Sequence, residues 1–347
     1  MISDDIDVIL AAMSALRRPT LTQVAAMAGV SLKTASRALN REPNVAEDTG
    51  QRVRDAADVL GYRLNGIARE LRRGATSALV GLISGDLANP FYSAVASGIE
   101  RELRQHGLQL ITANTDEDAE LERNLVDAFL ERRVRAMLVV PSAERHDHLA
   151  AEGAGGVPFV FLDRPPDGLE ADVALIDNVG GARSAGEHLL AGGHRRIALV
   201  SDLARKAPQR DRIEGFVQAM RASGNPDWEP FIRRDVHDVV RAEEVVRRLL
   251  ALEEPPTAIF TTNNRLTTGA LRAFRDHPGT PPALIGFDDF DLADVLGITV
   301  VAHDMVALGR EAARLAYARI SGYDGPARTV VMSTTVIPRG SGERPPA

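Results

Sequence analysis

Residues 29–40 read Gly-Val-Ser-Leu-Lys-Thr-Ala-Ser-Arg-Ala-Leu-Asn, and their spacing sorts two kinds of chemistry onto one short helix. Ala35 and Leu39 are four apart, which turns them inward against Val24 and Ala28 of a preceding helix. Lys33 and Arg37 are also four apart, on a different face, with Leu32 and Ser36 between them. Cations of this type suit guanine edges and hydroxyls suit phosphates. Two helices joined by a tight Ala-Gly-Val-Ser turn have the helix-turn-helix geometry, in which the second helix lies in the major groove. On spacing alone, a solvated face of a small three-helix domain is an equally good reading.

The elements that would hold this helix are legible on either side. Thr20 is a good N-cap for a helix over 21–29 that stops at Gly29, and Ser31 caps the next. After a loop with Pro43 and Asn44, residues 46–62 place Val53, Ala56, Ala57 and Leu60 at helical spacing. The stretch "RLNGIARELRRGAT" (63–76) is a short polar helix candidate without an apolar face wide enough for a core. Short isolated helices are marginal in water, so it reads as a linker or as a segment that folds on binding.

From residue 78 the texture changes to apolar runs alternating with longer helical stretches. The runs are 78–84, 109–114, 136–142, 158–163, 173–177, 196–201, 258–263, 283–289, 299–304 and 329–337. Continuous apolar runs separated by helices indicate parallel sheets covered on both faces. The expectation is an α/β body of two doubly wound lobes of about 120 residues each, with ligands at the C-terminal ends of strands. The domain limits expected are an extension at 1–18, an all-α head at 19–63, a hinge at 64–75, a body at 76–340 crossing between lobes near 176, 302 and 330, and a tail at 341–347.

Composition narrows the class further. The 347 residues contain no cysteine, which excludes disulfides and thiolate metal sites and fits a reducing cytoplasm. No apolar run approaches a membrane span. The first 18 residues place acids before, and Arg17 and Arg18 after, an apolar middle, the reverse of a secretory signal. Net charge is −7, yet residues 19–73 carry +3 and residues 74–347 carry −9, a small basic head on an acidic body. "GAGGV" (153–157) precedes a strand rather than following one, the reverse of a dinucleotide loop. There is no phosphate loop, no H-E-x-x-H and no G-x-S-x-G. His146, His148 and His188 form no ligand-like group and are expected at the surface. Catalysis, a cofactor and a metal are not expected.

The combination A-G-V-S, T-x-S-R-x-L-N, L-G-Y, N-x-x-A-R-x-L and G-F-D-D, running from residue 20 to about 340, resembles the LacI/GalR family of bacterial transcriptional regulators. The resemblance implies base reading by Leu32, Lys33 and Arg37, with phosphate contacts by Thr20, Thr34, Ser36 and Asn40. It implies a hinge helix whose Asn65, Ala68 and Leu71 take the minor groove, Leu71 as a wedge that opens a base step. Gly50 stands where a basic residue is usual, and Leu64 where proline is usual.

The body then resembles a periplasmic-binding-protein-like (type I) pair of lobes that takes a small effector, a sugar or related metabolite. The residues implied are Phe91, Asp163, Arg212, Asn263 and Asp288, each at or just beyond a strand end. His303 stands where glutamine is usual, and no stacking tryptophan falls near Val236 and His237; Trp228 reads as structural. Lys206, Arg210 and Arg212, clustered in one loop, raise an anionic metabolite or sugar phosphate as the effector. The chain is therefore expected to be a homodimeric, cytoplasmic, nucleoid-associated repressor that binds double-stranded operator DNA and no membrane. The rival is a solute- or carbohydrate-binding receptor, against which the head and the reversed leader polarity argue.

Overall fold

The computed structural model describes residues 19–40, 42–43, 45–63, 77–154, 156–224 and 228–346. The expected extension at 1–18 and the hinge at 64–75, with Asn65, Ala68 and Leu71, lie outside the described residues. The chain divides into two compact units, Met1–Ser77 and Ala78–Ala347.

The first unit holds α1 (Leu21–Ala28), α2 (Leu32–Leu39) and α3 (Glu47–Leu60). Thr20 and Gln23 cap α1 reciprocally, and Gly29 ends it in the left-handed conformation at φ 64°. The Ser31 hydroxyl accepts from the Thr34 amide and starts α2 one residue later. Val24, Ala25, Ala28, Ala35, Ala38, Val53, Ala56 and Ala57 form the core, with Leu39 packed at its edge. Small side chains at nearly every contact let three short helices close around Val24 and Val53.

The second unit contains two six-stranded sheets. The first is built from β1 (Leu79–Ser84), α4 (Pro90–Gln105), β2 (Gln109–Asn114), α5 (Ala119–Glu131), β3 (Met137–Val139), α6 (Leu149–Ala154), β4 (Phe159–Leu162) and β5 (Asp172–Ile176). The second follows with α7 (Asn178–Ala191), β6 (Ile197–Val200), α8 (Ala207–Ala222), a 3-10 turn (Glu229–Phe231), β7 (Ile232–Arg233), α9 (Val239–Leu250), β8 (Ala258–Thr261), α10 (Asn264–Arg275), β9 (Ala283–Phe287) and β10 (Thr299–Ala302). The chain then returns through α11 (Met305–Ile320), which packs on α4, to β11 (Thr329–Met332), before ending in β12 (Thr335–Ile337).

The strand orders are β11-β5-β4-β3-β1-β2 and β12-β10-β9-β8-β6-β7, so the two lobes repeat one topology. The chain passes between sheets at β5–α7, β10–α11 and β11–β12. Every pairing is parallel except β12 on β10, which is antiparallel. The single apolar run at 329–337 is therefore two strands in two different sheets, broken at Ser333 and Thr334 because the chain must change lobes there. Residues beyond 340, expected as a tail, belong to the second lobe. The Ser341 hydroxyl donates to the Leu284 carbonyl at 2.6 Å, and Glu343 takes His188 at 2.6 Å and the Thr299 hydroxyl at 2.8 Å.

His146 is a second correction, being buried rather than at the surface. Its Nε2 lies 3.2 Å from Glu122 Oε1, and its ring meets Phe161 edge-on. Glu122 also accepts from the Ser142 and Ala143 amides, which fixes the chain leaving β3. His188 is half-buried and held by Glu343, while His148 is exposed.

Candidate functional site

On the head, Leu32 is 51% exposed at the start of α2. Lys33 beside it is exposed. Arg37 is half-exposed and held in place, its Nη2 donating to the Pro43 carbonyl at 2.9 Å with Glu42 3.5 Å from its Nε. The Thr34 and Ser31 hydroxyls share a hydrogen bond at 2.8 Å, and Asn40 donates to the Ser36 hydroxyl at 3.4 Å. Leu32, Lys33, Thr34, Ser36 and Arg37 thus lie on the part of α2 left uncovered by Ala35 and Ala38. Gly50 is buried in α3, and a Cβ there would stand 3.2 Å from the Arg54 guanidinium, so Arg54 covers that turn.

In the body, a cleft of about 280 Å³ opens where both sheets present their C-terminal strand ends. All five residues expected there, Phe91, Asp163, Arg212, Asn263 and Asp288, line it. Asp163 follows β4 and Asp288 follows β9, equivalent strands of the repeated topology. Their amides donate to Ala174 and Val301 of the neighbouring strand, each at 3.0 Å, and both residues then turn left-handed at φ 65° and 72°. Aspartate is one of the few side chains that tolerate this conformation. The pair of turns brings two buried carboxylates, one per lobe, to the same cleft. Burial raises the Asp163 carboxyl above its ordinary range, against the pull of Arg164 and Arg212.

Arg212 ties three elements of the second lobe together at the floor of the cleft. Its Nε donates to Asn178 at 2.8 Å and its Nη1 to the Thr262 carbonyl at 2.5 Å, with Asp288 3.5 Å away. The guanidinium carbon sits 3.7 Å from the Phe287 ring centre. Among the described residues its ion-pair partner is Asp288, rather than the adjacent Asp211 or Glu214. The three cations read as one loop are instead placed by the start of α8: Lys206 stands at its first, non-helical position with its ammonium turned to Glu117, Arg212 lines the cleft, and Arg210 is exposed with its guanidinium on the Arg205 carbonyl.

Phe91 and Tyr92 begin α4 and meet edge-on at 4.8 Å. Asn263 caps α10, accepting from the Leu266 amide, and donates to Asp202 at 3.1 Å. Asp202, Tyr92, Glu117, Arg164, His237 and Arg265 also line the cleft. Asp202 follows β6 by two residues, so the strand-end rule would have found it. Glu117 lies hidden in the acidic run "TDEDAEL", which reads as a solvated helix start. His237 occupies the region without a tryptophan and binds Asp202 through Nδ1 at 2.7 Å. His303 is buried between Phe91 and Phe287 with its Nδ1 4.0 Å from Asp288 Oδ1. Among the described residues, neither ring nitrogen nor that carboxylate oxygen has a hydrogen-bond partner.

Glu117 pairs with two cations in the cleft, accepting from Arg164 Nη1 and Nη2 at 2.8 and 2.7 Å and from Lys206 Nζ at 3.2 Å. Burial alone would raise its pKa, but the hydrogen bonds and charges of Arg164 and Lys206 outweigh that and bring it to about 2. A carboxyl depressed in the folded state adds stability that is complete above its unfolded value and vanishes as pH falls through the folded value. We expect Glu117 to contribute about 3 kcal/mol above pH 4.5, lost progressively towards pH 2. Urea titrations over that range should show a shallower acid dependence in Glu117→Gln than in the wild type; parallel curves would refute the assignment.

A head with a helix-turn-helix and a body with a ligand-sized cleft at the strand ends of two α/β lobes define a ligand-responsive DNA-binding regulator. Residues 20–65 match the family described as "Bacterial regulatory proteins, lacI family", and residues 77–330 match "Periplasmic binding proteins and sugar binding domain of LacI family". The chain is 32% identical to the HTH-type transcriptional regulator PtxS of Pseudomonas putida, over 93% of this chain and 96% of that one. It is similar in structure to the transcriptional regulator CelR in complex with cellobiose (28% identity, TM-score 0.69, covering 94% and 100%). It shares its fold with the Lac repressor dimer bound to operator (24% identity, TM-score 0.78, covering 94% and 100%). The chain belongs to the LacI family of bacterial transcriptional regulators.

Proposed function

We propose that this regulator is a homodimeric cytoplasmic repressor released from a pseudopalindromic operator by an uncharged polyhydroxylated effector, a sugar, bound in the cleft. The observation that carries the effector class is the state of the charges there. Arg164 and Lys206 are engaged by Glu117, and Arg212 by Asn178, Thr262 and Asp288, whereas Asp288 keeps a buried oxygen without a partner among the described residues. A sugar hydroxyl donates to such a carboxylate and accepts from a neighbouring guanidinium, and buried polar groups of this kind discriminate strongly against ligands that cannot pair them. In this reading Asp163, Arg212, Asn263 and Asp288 take hydroxyls and Phe91 covers a ring face. CelR, bound to cellobiose, is a relative that fits this class.

Leu32, Lys33 and Arg37 then read bases, and Thr20, Thr34, Ser36 and Asn40 hold phosphates. An exposed apolar patch, Leu292, Val295 and Leu296, supports self-association of the body. Among the described residues no helix is long and apolar enough to cross a membrane. The test is a mobility-shift titration on DNA upstream of the protein's own gene, with neutral monosaccharides and disaccharides added singly. A salt-sensitive shift that one neutral sugar reverses supports the reading. Release only by charged metabolites overturns the effector class.

A further inference from the structure

Arg164 and Lys206 come from opposite lobes and converge on one carboxylate. Arg164 follows β4 of the first lobe, and Lys206 precedes α8 of the second. Two cations meeting across a cleft, with side chains only 10% and 9% exposed, are the geometry that captures a carboxylate or phosphate. Here the chain supplies that anion itself. Glu117 takes both terminal guanidinium nitrogens of Arg164 and the ammonium of Lys206, with its own side chain 12% exposed.

Glu117 is fixed where it stands. It is the second of two consecutive left-handed residues, Asp116 at φ 49° and Glu117 at φ 64°. Its amide donates to the Thr115 hydroxyl, and Asp118 immediately caps α5 through the Glu120 and Leu121 amides. On the far side it rests over Gly85, where a Cβ would stand 2.8 Å from its Oε1. A strained backbone held in this way is characteristic of functional positions.

We propose that Glu117 is the specificity-determining residue of the cleft: a built-in anion that fills the Arg164–Lys206 pair, excludes sugar acids and sugar phosphates, and admits uncharged polyols. This rests on the reading of the effector as uncharged. An incoming anion must either expel Glu117 from three charge-assisted hydrogen bonds or sit beside it as a like charge. A neutral sugar leaves the pair intact and uses Asp163, Arg212 and Asp288 instead. Asp163, 3.4 Å from Arg164 Nε, and Asp202, 3.9 Å from Lys206, add to the exclusion but neither occupies the convergence point. Glu117 also spans the cleft, together with Arg265 on Asp86 and Asn264 on Asn89.

The experiment uses the full chain and inorganic phosphate as probe, at constant ionic strength, followed by thermal shift and calorimetry. Glu117→Gln keeps the shape and removes the charge; Glu117→Asn removes it with a residue better suited to a positive φ. Both should bind phosphate saturably and at least about tenfold more tightly than the wild type, the size of one lost charge-assisted contact. Lys206→Met added to either variant should abolish the gain. Wild-type protein that binds phosphate as well as the variants overturns the proposal, as does the absence of any gain in both. No effector is needed for this measurement. Failure of neutral sugars to release operator DNA would sink the effector reading while leaving the phosphate result to stand or fall by itself.

Discussion

Arg212→Met should lower the melting temperature by about 10 °C. The side chain is 4% exposed and ties together groups from three parts of the body. Asn178 opens α7 directly after the first passage between lobes, Thr262 follows β8, and Asp288 follows β9. Methionine restores much of the volume over Phe287 but no donors. It leaves the Thr262 carbonyl short of a partner and the buried Asp288 without a counter-charge. Breaking a buried pair on one side costs about 3–5 kcal/mol, because the remaining charge stays desolvated. At about 2–4 °C per kcal/mol for a domain of this size, the loss is on the order of 10 °C. Arg212→Met with Asp288→Asn should recover a substantial part of it, since the orphaned charge is then gone. Calorimetry decides the matter. A single substitution that costs less than about 1 kcal/mol, or a double one that adds the two single losses, would show that the Arg212–Asp288 pair does not hold the cleft.

The same cluster shows what local sequence conveys and what it does not. Asp163 and Asp288 are legible because they end apolar runs, and strand ends are where this architecture collects function. Their left-handed turns, and their equivalence across the two lobes, come from a repeat in topology that no stretch of "PFVFLD" or "LIGFDD" displays. Glu117 is not legible, since its partners Arg164 and Lys206 are 47 and 89 residues away and the acids around it look like an ordinary helix start. His146 fails for the same reason: Glu122, 24 residues earlier, makes its burial tolerable. Lys206, Arg210 and Arg212 look equivalent as a string, but helical rotation sends Arg210 outward and Arg212 inward. Pairings at long range, rather than periodicity, decide which charges are available to a ligand.

In the head the reverse holds, and spacing alone sorts α2 into a packed stripe and an offered one. Ala35, fully buried, and Ala38 fix its rotation; Leu32, Lys33 and Arg37 are what that rotation presents. Arg37→Ala should therefore weaken operator binding about tenfold to a hundredfold, the 1–3 kcal/mol of a bidentate arginine on guanine. It should also flatten base preference at one position of each half-site. Arg37 is already oriented by the Pro43 carbonyl and Glu42, which reduces the rotamer entropy lost on binding. Thr34→Ala serves as the contrast. A lost phosphate contact should weaken all sequences alike by a smaller factor and leave base preference unchanged. Fluorescence anisotropy on the operator and on single-base variants separates the two outcomes. Uniform weakening by Arg37→Ala across every variant would make Arg37 a phosphate anchor and leave base reading to Leu32 and Lys33.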